Sequence, residues 1–320
     1  VTAHPRFHDF NVPLSEAHKT GLGSSAALVT AFTAAVLAHY LHPSRISLNT
    51  DPGKALLHGL AQVAHCAAQG KVGSGFDVAA AVYGTCVYKR FSPSILEDLG
   101  EIGTHGFSNR LQSLVGNGDR SSVWDMVIDK SKAVIPSGIR LVMCDVDCGS
   151  ETVGMAKKVL AWKDSNAEAS AILWGSLQKA NDDLAEELWN LSQNPMRTSN
   201  DYQQLRKLFL IIRSLIREMS TKAEVPIEPK AQTDLLDACC QVSGVLGGVV
   251  PGAGGYDAIA LLVEDQEEVL GALNSLLGTY GTKEGYGNEP RINRARLLGV
   301  KQDIEGLKKE NVAIYSDWTR

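Results

Sequence analysis

Three glycine-rich turns constrain this chain more than any other feature. They are Gly21-Leu22-Gly23-Ser24-Ser25-Ala26, Gly70-Lys71-Val72-Gly73-Ser74-Gly75-Phe76-Asp77 and Pro251-Gly252-Ala253-Gly254-Gly255-Tyr256-Asp257. Glycine lets a backbone curl back and approach a ligand with no Cβ in the way. After the first turn, Phe32, Ala35, Val36 and Tyr40 recur at helical spacing and predict a buried helix to about Leu41, stopped by His42-Pro43-Ser44. The unpaired N–H groups at the start of such a helix attract phosphate. Ser24 and Ser25 add hydroxyls for phosphate oxygens or Mg²⁺. In the second turn, the Asp77 carboxylate can hold Mg²⁺, orient a lysine, accept a proton or simply cap a helix. Any one of these turns has a plain structural reading as a cap or a tight connection. Three in one chain point to a shared anion site.

The rest of the pattern predicts an α+β protein. A helix fits Gly53–Gln69, a short helix runs from Asp77 to about Ala81, and Thr85–Arg90 alternates like a strand. Residues 98–122 are rich in Gly, Ser and Asn and read as an exposed excursion. Pro136-Ser137-Gly138 introduces a strong strand over Ile139–Asp145, which sets a candidate boundary between lobes 1–135 and 136–320. Helices are expected over 150–163, 166–192, 200–222, 230–242 and 266–277, a buried strand over 258–263 and a last strand over 312–315. At 44% hydrophobic and 21% charged, the chain has globular proportions. A net charge of −5 argues against a nucleic-acid or anionic-membrane partner, because both favour basic surfaces. Thr20–Ser44 is uncharged but too rich in small polar residues for a membrane span. The six cysteines fit no zinc or disulfide framework and read as reduced thiols of a cytoplasmic protein. The first turn is neither a Walker A loop nor a dinucleotide fingerprint.

The residues also carry a resemblance. Lys19-Thr-Gly-Leu-Gly-Ser-Ser-Ala-Ala-Leu-Val-Thr30 resembles the ATP-phosphate motif of the GHMP kinases. Four further runs narrow it to the fungal type of phosphomevalonate kinase: Gly70–Gly84, Gly149-Ser-Glu-Thr152, Gln232–Asp237 and Gly247–Ala260. The likeness covers nearly the whole chain in order. It implies a two-lobed fold, with a first lobe like ribosomal protein S5 domain 2 and a ferredoxin-like second lobe with added helices. It also implies Mg-ATP-dependent conversion of 5-phosphomevalonate to 5-diphosphomevalonate. By carry-over, Gly21, Leu22, Gly23, Ser24, Ser25 and Ala26 wrap the ATP phosphates, Ser25 and Asp77 hold Mg²⁺, and Asp77 is the active-site carboxylate. Gly252, Ala253, Gly254 and Gly255 shape the nucleotide and substrate site.

Charge adds further candidates. An ionised acceptor phosphate is already a nucleophile, so the larger difficulty is joining two polyanions. Lys71, inside the second turn, is the first candidate for phosphate contact and Lys19 the second; Ser74 and Ser150 offer hydrogen bonds to the acceptor phosphate. Lys89 and Arg90 read as surface charges, and His65 as a packed helix histidine. Two departures from the family stand out. Nothing before residue 20 matches its upstream motif with a phosphate-proximal lysine, which suggests that part of the nucleotide-binding lobe is missing. The helix before Asp77 has His65, Cys66 and Gln69 where mevalonate kinases place a metal-binding glutamate. Another GHMP kinase, such as mevalonate kinase, and a catalytically silent ligand-binding relative are the alternatives.

Overall fold

The computed structural model describes residues 12–13, 16, 23–42, 47–116, 124–131, 133–148, 154–194, 199–281 and 291–318. The chain divides into two compact units, Val1–Lys130 with Asp303–Arg320, and Ser131–Gln302.

The first unit is mainly helical. Helix α1 (Ser24–Tyr40), α2 (Asp51–Gln69) and α3 (Phe76–Tyr83) pack through small side chains: Ala26, Ala34, Ala61, Val78 and Val82 join Leu57 in one buried cluster. Thr50 caps α2 by accepting the Gly53 N–H, and Gly70 ends the helix in the left-handed conformation. The expected burial of α1 holds only for the stripe Ala26, Thr30 and Ala34, whereas Leu28, Phe32, Val36 and Tyr40 lie on the opposite side and are exposed. Strand β1 (Val87–Lys89) pairs antiparallel with β2 (Val127–Asp129), with the short helices α4 (Ser94–Glu97) and α5 (Phe107–Gly116) between them. Helix α5 replaces much of the excursion expected over 98–122; its Leu114 packs with Phe91, Leu96, Leu99 and Trp124.

The segment from Asp303 onward belongs to this unit, where the sequence boundary had assigned it to the second lobe. Specific bonds hold it. Asp303 O accepts from Thr85 N–H at 3.0 Å, Val82 O accepts from Leu307 N–H at 3.2 Å, and the Lys130 ammonium donates to Tyr83 O and Ile304 O. Gly84 and Gly306 cross so closely that a Cβ on Gly84 would lie 2.6 Å from the Gly306 nitrogen. The strand expected over 312–315 is instead part of a 3₁₀ segment, Val312–Trp318.

The second unit is built on a sheet of order β4-β5-β3-β6, all antiparallel: β3 (Ile139–Asp147), β4 (Val245–Val249), β5 (Ala258–Glu264) and β6 (Arg294–Leu297). Strand β5 is a continuous apolar run because helices cover both faces. Ile259, Leu261 and Val263 join Leu235 and Leu273 on one face, and Leu262 joins Leu205 and Phe209 on the other. Its helices are α6 (Met155–Ser165), α7 (Ala167–Gln193), α8 (Gln203–Ala223), α9 (Lys230–Cys240) and α10 (Glu267–Thr279). Between α8 and α9, the buried Glu228 carboxylate accepts from Arg213 Nε at 3.0 Å, from Arg213 Nη2 and Arg217 Nη1 at 2.8 Å each, and from Thr233 Oγ1 at 3.1 Å. Among the described residues no disulfide joins any of the six cysteines.

Candidate active site

The start of α1 and the start of α3 meet. Both helices have a left-handed glycine as N-cap, Gly23 with φ 76° and Gly75 with φ 83°, and neither start has a side-chain cap. A Cβ built on Gly23 would lie 3.4 Å from the Asp77 Cβ, so the two positive helix ends are neighbours. A capping serine or aspartate would occupy the donors that a phosphate needs; glycine leaves them open.

Ser25, His65 and Asp77 converge beside these ends. The Ser25 hydroxyl lies 3.2 Å from His65 Nε2, the Gln69 amide nitrogen 2.9 Å from the same atom, and Asp77 Oδ2 3.9 Å from it. An amide nitrogen only donates, so Gln69 fixes Nε2 as an acceptor. Asp77 Oδ1 accepts the Val78 N–H at 3.0 Å, whereas Oδ2 has no hydrogen-bond partner among the described residues. The aspartate is therefore not the N-cap that a plain structural reading offered. It sits in the first turn of α3 with one carboxylate oxygen unclaimed, its side chain 20% exposed. Ser24 and Ser25 are exposed, while the Ala26 side chain is fully buried.

The second turn is strapped from the side. Tyr88 Oη donates to Ser74 O at 3.0 Å, and Arg90 Nη2 donates to Val72 O and Gly73 O at 3.3 and 3.1 Å. Arg90 is thus not a plain surface charge. Burial pushes the Tyr88 phenol up to about 12, so it remains a donor at neutral pH. A Cβ on Gly75 would lie 2.6 Å from Gln62 Oε1 and 2.8 Å from Tyr88 Oη, so any other residue would have to displace them as well as adopt the left-handed φ.

Lys71 is exposed and lines a cavity of about 240 Å³ with Val63, Cys66, Val72, Leu96 and Leu99; among the described residues no ion pair joins it to Asp77. The Ser74 side chain is exposed. Lys19, Gly21, Leu22 and Ser150 lie outside the described residues. In the second unit, Gly255 N–H donates to Ile227 O at 2.9 Å, and a Cβ on Gly254 would come within 2.5 Å of that oxygen. Gly252 and Ala253 are exposed, with open space at Gly252. Burial, then the nearby Asp145 carboxylate, raises the pKa of Asp257 at the end of this loop.

Sequence reasoning passed over His65, Gln69, Tyr88 and Arg90 as site residues. Two of them stood at i and i+4 on one helix, and two at i and i+2 beside one strand, so each pair shares a face. That spacing was the available signal.

Comparison with known proteins identifies the family. The family description "GHMP kinases N terminal domain" matches residues 8–85 and "GHMP kinases C terminal" matches residues 174–280. The chain belongs to the GHMP kinases. Within that family it is 50% identical to phosphomevalonate kinase ERG8 of Gibberella zeae, over 99% of this chain and 68% of that protein. It is 48% identical to the Aspergillus fumigatus phosphomevalonate kinase, over 98% and 64% of the two chains. The peroxisomal phosphomevalonate kinase of Arabidopsis thaliana is 36% identical, over 76% and 54%. The chain spans about two thirds of the length of the fungal relatives it matches. Among solved structures, the Lin0012 protein of Listeria innocua shares the fold at a TM-score of 0.61 and 19% identity, over 90% of this chain and 71% of that one. No helix among the described residues is long and apolar enough to cross a membrane.

Proposed function

We propose that this protein transfers the γ-phosphoryl group of ATP to 5-phosphomevalonate, giving 5-diphosphomevalonate and ADP. The observation that carries this reading is the 36–50% identity to phosphomevalonate kinases over most of the chain. The site is suited to such a transfer. Two unit charges 4 Å apart repel by about 4 kcal/mol at an effective dielectric near 20, and two polyanions must come closer than their hydration allows. Two adjoining helix ends with glycine caps supply positive potential without needing to reorganise.

Ser25 and Asp77 fit Mg²⁺. Both reach within 4 Å of His65 Nε2, and Asp77 keeps an open oxygen. Among the described residues no three His, Cys, Asp or Glu side chains form a cage. Magnesium commonly takes one or two protein ligands and completes its shell with phosphate and water. When bound, it would neutralise phosphate charge. His65 orients Ser25: if the hydroxyl hydrogen points at Nε2, the Oγ lone pairs face outward. Asp77 acts through its charge and position, because an ionised phosphate acceptor needs no strong base. Lys71, Lys19, Ser74 and Ser150 are assigned to acceptor binding, and Gly252–Gly255 to close backbone contact with substrate. Six cysteines without a disulfide among the described residues favour a cytoplasmic setting.

The test is ADP release with Mg-ATP and mevalonate, 5-phosphomevalonate or 5-diphosphomevalonate in turn. Turnover with 5-phosphomevalonate alone is expected. Turnover with mevalonate instead would move the reading to another GHMP kinase. ATP binding without turnover on any acceptor would replace it with a ligand-binding relative.

A further inference from the structure

We infer that Tyr88 and Arg90 are positioning residues that turn the Gly70–Gly75 loop into a cradle of backbone N–H groups for the acceptor phosphate. The inference rests on the kinase reading for the identity of that phosphate; the cradle itself rests on geometry. Tyr88 and Arg90 capture three successive carbonyls, those of Val72, Gly73 and Ser74. In a trans peptide the C=O of one residue and the N–H of the next point in opposite directions. The N–H groups of Gly73, Ser74 and Gly75 therefore face away from the Tyr88 hydroxyl and the Arg90 guanidinium. Among the described residues no acceptor takes any of these three N–H groups.

The surroundings agree. Gly75 is buried, and its left-handed turn leads directly into α3, so the three amides continue into the open first turn of that helix. A Cβ on Gly73 would meet nothing within 4 Å, which leaves room on the loop. The clamp is also chemically selective. Both bonds come from one guanidinium nitrogen, Nη2, whose two N–H donors are fixed in a rigid plane, whereas an ammonium is a point charge on a flexible stem. The tyrosine contributes one neutral donor, and its elevated pKa keeps the proton in place. Neither side chain is required to touch substrate. Their effect passes through the peptide planes they hold.

Steady-state kinetics on the whole protein separate this role from general support of the fold. Tyr88→Phe, which removes one donor and no charge, is expected to raise KM for 5-phosphomevalonate about fivefold and leave KM for ATP unchanged. Arg90→Met is expected to raise the same KM by roughly tenfold or more. Arg90→Lys keeps the charge but lacks the rigid planar pair of N–H donors on Nη2, and is expected to resemble Arg90→Met. Wild-type behaviour of Arg90→Lys beside a defective Arg90→Met would assign Arg90 to direct charge contact and overturn the clamp. An unchanged KM in Tyr88→Phe would do the same.

Amide hydrogen exchange with inorganic phosphate as probe keeps the cradle testable if the kinase reading fails. Phosphate should slow exchange at Gly73–Gly75 in the wild type but not in Tyr88→Phe or Arg90→Met. Absence of protection in the wild type would remove the cradle, whatever the acceptor proves to be.

Discussion

In the second unit, the fully buried Arg213 guanidinium is matched against Glu228, Asp237 and the Thr233 carbonyl, and Glu228 receives Arg217 and Thr233 as well. In the first unit, Ser25, Gln69 and Asp77 converge on a single nitrogen of the His65 imidazole, and two helix ends and one carboxylate oxygen have no side-chain partner among the described residues. One unit uses its polar groups to complete a core; the other holds them open. The difference shows where to look for chemistry. Satisfied buried charge supports a fold, and unsatisfied polar groups at glycine-capped helix ends await a ligand.

The contrast can be broken most forcefully at Asp77. Asp77→Ala is expected to lower turnover about a thousandfold or more while the urea midpoint stays near wild type, because no buried partner is orphaned. A variant that unfolded instead would make Asp77 a structural residue, like Glu228. The reverse is expected at Arg213. Arg213→Met should cost about 3–5 kcal/mol in urea unfolding, because it strands a buried carboxylate. A loss below roughly 1 kcal/mol would mean that the cluster in the second unit carries little of the fold.

The glycine loops sharpen the comparison on a smaller scale. Gly75 and Gly252 are both left-handed, yet only Gly75 has neighbours within 4 Å of a built Cβ. Gly252→Ala should cost roughly 1 kcal/mol from backbone conformation alone. Gly75→Ala should cost roughly 2–3 kcal/mol, because it also drives a methyl against Gln62 and Tyr88. Equal losses at the two positions would mean that the first loop adjusts more freely than its contacts suggest. The smallest effect concerns pH. Since the folded state raises the Asp257 pKa, it binds that proton more tightly than the unfolded chain does. This group's contribution is most favourable below the ordinary carboxylate range and declines as pH rises toward the raised value. Asp257→Asn should flatten that part of the stability profile, and an unaltered slope would assign the dependence elsewhere.

Much of this was legible in the sequence, for reasons that are local. Helices α2, α7 and α8 have apolar residues at three and four, and glycine marks Gly23, Gly70 and Gly75 as left-handed turns. Ser25 and Asp77 were legible because their turns carry the chemistry on adjoining residues. What escaped depends on long-range partners. Arg-Ala-Arg-Leu over β6 alternates charge and reads as surface until β3 pairs with it, placing Ala295 in the core and Arg296 against Asp145. The Ser25–His65 contact joins residues 40 apart. Arg90 looked like a solvated charge because its acceptors are carbonyls, which every residue possesses and no sequence pattern reveals.

The route of the chain through the first unit has a temporal consequence. Lys130 holds both Tyr83 and Ile304, and Gly84 packs against Gly306, so the unit is finished by residues made only after the whole of Ser131–Gln302. During synthesis α1, α2 and α3 are made before the residues that brace them. Joining Lys130 to Ile304 through an unstructured loop of about 170 residues would cost roughly 4–5 kcal/mol of chain entropy. If the intervening unit has already collapsed onto its own sheet, most of that entropy has been lost beforehand, and closure becomes a short final step. Synthesis order therefore favours a nascent chain whose sheet-bearing unit matures before the helical unit that is split around it.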